Sequence, residues 1–124
     1  RMRRGSDDAR WQSLKEQVKK RDHGCRLIPL LSVKEFLIFQ KNAKGKASHC
    51  DPAHVFGAGP FPHMIYMLEN VVTLNRYSHD CLDNCQNPLT GERITREERD
   101  KWWERIVGVE TYQHLLDIST RREE

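Results

Sequence analysis

Residues 53–83 read AHVFGAGPFPHMIYMLENVVTLNRYSHDCLD. His54 closes an apolar segment, and a loop rich in glycine and proline, Gly57 to Pro62, follows it. Asn70 then precedes Val71-Val72-Thr73-Leu74, a β-branched run that reads as a strand. From Asn75 to Asn84 the pattern turns helical, with Tyr77, Cys81 and Leu82 facing inward and a second histidine, His79, among them. Upstream, Ala47 to Phe56 also suits a strand, interrupted at Pro52, so His54 belongs at or near its end. The local order is therefore strand, long loop, strand, helix, with His54, Asn70 and His79 spread along it.

Ala53-His54-Val55, then Glu69-Asn70-Val71-Val72-Thr73-Leu74, then Arg76-Tyr77-Ser78-His79 resemble the ββα-metal motif of HNH endonucleases, especially small phage-type members. The resemblance spans residues 48–86. It implies an α+β fold in one domain over 1–124. The ββα-metal (HNH) core would cover about 47–87, with helical extensions over 6–43 and 95–120. It further implies a divalent-metal-dependent endonuclease that hydrolyses phosphodiester bonds in DNA. In that family the first histidine activates water, which would make His54 the general base. Asn70 would anchor the loop of that histidine, and His79 would bind the metal.

Phosphodiester hydrolysis needs a nucleophilic water, a cation to absorb charge on the phosphate and stabilisation of the departing oxygen. A neutral imidazole accepts a proton near physiological pH, provided its other nitrogen is held. Asp83 follows His79 by one helical turn and shares its face, which makes it the expected second ligand; otherwise it is an ordinary exposed carboxylate. Mg²⁺ or Mn²⁺ suits an oxygen-rich site, and imidazole also admits Zn²⁺ or Ni²⁺.

The family pattern is broken in two places. Many members carry an aspartate or histidine ligand immediately before the catalytic histidine, where this chain has Ala53. Asp51 could substitute if Pro52 bends the strand, but regular alternation sends 51 and 54 to opposite faces. Relatives also carry zinc-binding cysteine pairs, one before the first strand and one where this chain has Asn75 and Ser78; Cys25 alone hints at such a site. Cys81 and Cys85 are spaced to share a helical face, as zinc ligands or as small apolar packing.

The flanks read as helices. Ser6 is a candidate N-cap followed by Asp7 and Asp8, with Ala9, Trp11, Leu14 and Val18 at helical spacing and Gly24 suited to end it. Cys25 to Pro29 reads as a short extended piece. Ser32 with Glu35, and Thr95 with Glu98, have the spacing of capping boxes, each opening a helix. Lys41 to Lys46 reads as a basic loop, able to lie against phosphate or simply solvated. Gly108 should separate the Trp102–Val107 helix from a last one over about 109–120.

The 124 residues suit a single core, with 37% hydrophobic and 31% charged residues and a mean hydropathy of −0.79, and no apolar run approaches a membrane span. No apolar signal segment follows the basic start, so a cytoplasmic protein is expected, with further residues preceding Arg1. Residues 1–50 hold 13 Lys/Arg against 5 Asp/Glu, +8, and residues 51–124 hold 8 against 13, −5. The first half could therefore face a polyanion or present a solvated basic face. Four cysteines in a cytosolic chain are expected as thiols. DNA is the expected partner, with no membrane and with other phage or nucleic-acid-processing proteins admissible; oligomeric state is open. Two rival readings stand: a non-catalytic DNA-binding module of the same shape, and a small zinc-stabilised interaction domain.

Overall fold

A computed structural model describes residues 9–121, without the side chains of Ala47 and Ser48. The Ser6 cap, Asp7, Asp8 and the Arg1–Arg4 arm lie outside the described residues. The fold is α+β, with five helices and one two-stranded antiparallel sheet among the described residues. The elements are α1 (Ala9–Asp22), α2 (Val33–Ala43), β1 (Cys50–His54), β2 (Val71–Asn75), α3 (Arg76–Asp83), α4 (Arg96–Val107) and α5 (Val109–Ser119).

Both capping boxes form. Ser32 and Thr95 accept from the backbone N–H of Glu35 and Glu98, whose carboxylates accept from the cap residues in return. Gly108, at φ 96°, breaks α4 from α5, a conformation in which a side chain would be strained. Gly91, at φ 81°, allows a close approach: a Cβ there would lie 2.8 Å from the Tyr77 hydroxyl.

The register pairs Cys50 with Asn75, Pro52 with Thr73 and His54 with Val71. Pro52 costs the sheet no ladder bond, because the Thr73 backbone opposite it points outward. Its N–H donates to Asp22 Oδ2 at 2.8 Å and its C=O accepts from Arg26 N–H at 2.9 Å. The outer edge of β2 is thus covered by the end of α1.

Alternation along β2 divides the core. Val71 packs with Trp11, Leu14 and Val18 of α1, whereas Val72 and Leu74, with Ala53 of β1, join Leu27, Phe39, Leu82, Trp103, Ile106 and Tyr112. The sheet therefore lies between α1 on one face and α2, α3, α4 and α5 on the other.

Three local expectations are corrected. Residues 28–30 form a 3-10 turn instead of an extended piece, because Leu27 is drawn wholly into the core and the chain turns around it. Lys41 to Lys46 is not a loop: α2 runs on to Ala43, whose side chain is buried, and a 3-10 segment, Lys44–Ser48, follows. The first strand keeps only Cys50–His54 of the expected 47–56, and the loop after it carries 3-10 turns at Pro62–Met64 and Leu68–Asn70.

Candidate active site

β1, β2 and α3 follow one another along the chain, and His54 at the end of β1 and Asp83 at the end of α3 border one cavity. His54 is the last residue of β1, with its ring stacked on Trp11 at 5.3 Å between centroids and 16° between planes. Its Nε2 lies 3.0 Å from the Ile65 carbonyl. A carbonyl can only accept, so in the neutral ring Nε2 carries the proton and Nδ1 the lone pair.

Ile65 belongs to the long loop, and Asn70 fixes that loop. The Asn70 side chain is fully buried: Oδ1 accepts from Phe56 N–H at 2.8 Å, and Nδ2 donates to the Phe56 and Met64 carbonyls at 3.1 and 3.0 Å. Its own carbonyl accepts from Val55 N–H at 2.8 Å, which continues the β1–β2 pairing past His54.

On α3, His79 Nε2 lies 3.2 Å from Asp83 Oδ2, and Nδ1 lies 3.5 Å from Asp51 Oδ2. The Asp83 carboxylate raises the His79 pKa above its usual value; burial works against it, and Asp51 adds to the rise. Arg76 Nη2 stands 3.3 Å from Asp51 Oδ2.

A cavity of about 550 Å³ opens beside these residues. His54 and Asp83 both border it, as do Arg96, Arg99 and Asp100 of α4 and Tyr112 of α5. Burial pushes the Tyr112 hydroxyl well above its ordinary pKa, and Asp100 adds to the effect, so it remains protonated. Arg99 is partly spent on the Leu82 carbonyl at 3.2 Å. Arg96 is exposed at the first position of α4.

The arrangement brings His54 and Asp83 to one cavity, with His79 bonded to Asp83, and keeps Asn70 behind His54. No group of three or more His, Cys, Asp or Glu side chains able to hold a metal occurs among the described residues. A divalent ion is nonetheless compatible with the His79–Asp83 pair. One imidazole nitrogen and one carboxylate converge there, the other ring nitrogen is backed by a carboxylate, and hard cations of the Mg²⁺ kind keep water and take phosphate oxygens as remaining ligands.

Ala53 is buried in the core and offers no ligand. Cys81 and Cys85 do not share a helical face, because α3 ends at Asp83 and Cys85 has turned to φ 57°. The Cys85 thiol bonds to the Ile94 carbonyl. Asn75 and Ser78, with Cys25, form a hydrogen-bonded knot. Asn75 Nδ2 donates to Cys25 Sγ at 3.4 Å and to Ser78 Oγ at 3.1 Å, and Ser78 Oγ donates to the Pro88 carbonyl at 2.9 Å. All four cysteines are free thiols. His63 is exposed, beside the Ile118 carbonyl at 3.2 Å.

The sequence reading missed Trp11, Arg96 and Arg99 as neighbours of His54 and its cavity. Arg96 carried one usable sign: a cation at a helix N-terminus opposes the macrodipole, so stability does not account for it. Compared with known proteins, the chain matches no family model, no curated protein and no solved structure.

Proposed function

We propose that the protein is a divalent-metal-dependent endonuclease that hydrolyses phosphodiester bonds in DNA. The observation that carries the reading is His54, held through Nε2 by the Ile65 carbonyl at the edge of a cavity that Asp83 also borders. A general base needs one ring nitrogen held so that the other can take a proton, and the Ile65 carbonyl, on a loop that Asn70 holds, supplies that hold.

The phosphodiester enters the cavity with its charge toward Arg96. His54 Nδ1 takes a proton from a water, the oxygen of that water bonds to phosphorus, and the bond from phosphorus to one ester oxygen breaks. The products are a phosphomonoester and an alcohol, the latter protonated from solvent. His79 and Asp83 would hold the divalent ion, Mg²⁺ or Mn²⁺ by ligand type, whose charge offsets that building on the phosphate oxygens. Asn70 transfers no proton and acts by keeping Ile65 in place. Arg76, beside Asp51, and the surface formed by Lys44, Lys46 and His49 suit the flanking phosphates of a duplex.

Plasmid nicking in Mn²⁺ tests the proposal. His54→Ala should lose activity by about 10²–10⁴-fold, the range for a positioned acid or base. EDTA should abolish cleavage while leaving gel-shift binding of DNA intact. Wild-type protein that binds DNA and never nicks it is instead the non-catalytic module.

A further inference from the structure

Asp51 has no part in that reaction, yet it touches its centre. Strand alternation points Asp51 and Ala53 to the same face of β1, the face covered by α3. There Asp51 meets His79 from behind: Nδ1 faces its carboxylate at 3.5 Å while Nε2 faces Asp83. His79 Nδ1 and Asp51 Oδ1 are both buried and have no hydrogen-bond partner among the described residues. Buried polar atoms left unpaired are costly, and these two belong to facing side chains. Arg76 stands 3.3 Å from the same Oδ2 that faces the ring, so one carboxylate oxygen lies between the guanidinium and the imidazole.

We propose that Asp51 is the positioning residue of the site: its carboxylate accepts the Nδ1 proton of His79, so that Nε2 is the nitrogen free to turn to a cation when the ion replaces the Nε2–Asp83 contact. The role rests on His79 and Asp83 being the ligand pair. An imidazole can give Nε2 to a cation only with its proton on Nδ1, and a carboxylate behind Nδ1 both retains that proton and makes Nε2 more basic. A small rotation of the ring shortens the 3.5 Å separation to a hydrogen bond, a tightening common when a site fills. Alternation, which separates Asp51 from His54, is thus what brings it to His79. An acid at position 53 would have to be buried against Val72 and Leu82, whereas Asp51 reaches the same face nearer the open end of the strand.

Two readouts test this. Long-range ¹H–¹⁵N correlation NMR of the protein loaded with diamagnetic Mg²⁺ reports the His79 tautomer, and calorimetric titration with Mn²⁺ reports affinity. Wild-type His79 should carry its proton on Nδ1. Asp51→Ala should move it to Nε2 and weaken Mn²⁺ binding by about 10–100-fold, the usual effect of losing such a partner. Should Asp51→Ala fail to fold, Asp51→Asn serves: it keeps an acceptor, so the tautomer should stay while Mn²⁺ affinity falls by less. Asp51 variants that bind Mn²⁺ like wild type would overturn the positioning role and leave the ligand pair standing. Wild-type His79 protonated on Nε2 in the loaded protein would overturn both. Mn²⁺ binding unaffected by His79→Ala would overturn the ligand pair, and the role of Asp51 with it.

Discussion

The Asn70 side chain spends both its amide functions inside the long loop, accepting from Phe56 N–H and donating to the carbonyls of Phe56 and Met64. Met64 adjoins Ile65, whose carbonyl holds His54, so a residue two steps from the imidazole sets its orientation. Asn70→Ala leaves buried groups unpaired, and each such group costs about 1–3 kcal/mol. The variant should unfold at lower urea concentration and should also nick DNA more slowly than its remaining folded fraction accounts for. Asn70→Asp should be worse at neutral pH, because a carboxylate has no N–H to offer two carbonyls. Equal stability of Asn70→Ala and wild type would mean that the loop is held elsewhere. The chain of contacts from Asn70 to His54 could not be read from spacing, since Ile65 has no distinguishing residue type; only the folded loop reveals which carbonyl meets the ring.

At the scale of elements, α1 shows what sequence conveys and what it does not. Its apolar face, Trp11, Leu14 and Val18, follows from periodicity, as do both capping boxes, because each depends on residues within one or two helical turns. Its partner does not, because docking is a matter of distant contacts. Asp22, the last residue of α1, accepts from Thr73 N–H, Arg21 and Arg26, while Arg21 also donates to the Val71 carbonyl at 2.6 Å. Of the basic residues in the last turn of α1, Lys19, Lys20 and Arg21, it is Arg21 that is committed to the sheet edge. Burial pushes the Asp22 pKa up, yet the hydrogen bonds from Arg21 and Thr73 and the nearby charges outweigh it and leave the pKa lowered. Asp22→Ala exposes the β2 edge and leaves two arginines without their carboxylate. It should destabilise by about 3 kcal/mol, within the range for breaking a buried pair, discounted because both arginines are partly exposed. Urea denaturation measures this, and a loss below about 0.5 kcal/mol would mean that α1 docks through its apolar face alone.

Across the whole molecule, the hairpin is enclosed by helices from both ends of the chain, which is why the local strand-loop-strand-helix order was readable while the cavity was not. Its far wall comes from α4 and α5, remote in sequence from His54. The two ends are also joined directly. Arg105 near the end of α4 makes a bidentate pair with Glu35 in the first turn of α2, at 2.7 and 2.9 Å, and donates to the Leu30 carbonyl at 2.8 Å. The Arg105 guanidinium and the Ser32 N–H lower the Glu35 pKa to about 2. A depressed carboxylate contributes its stability above its unfolded pKa and loses it as pH falls through the folded value. The Glu35 contribution should therefore be complete above about 4.5 and fade as pH drops toward 2. Glu35→Gln isolates the charge, since glutamine can still complete the capping box. The variant should be less stable than wild type by about 1 kcal/mol or less at neutral pH, because the pair is partly exposed. Chemical denaturation at stepped pH values should show that gap closing between about 4.5 and 2; a gap that stays constant or widens on acidification would mean that the difference does not come from the charge paired with Arg105.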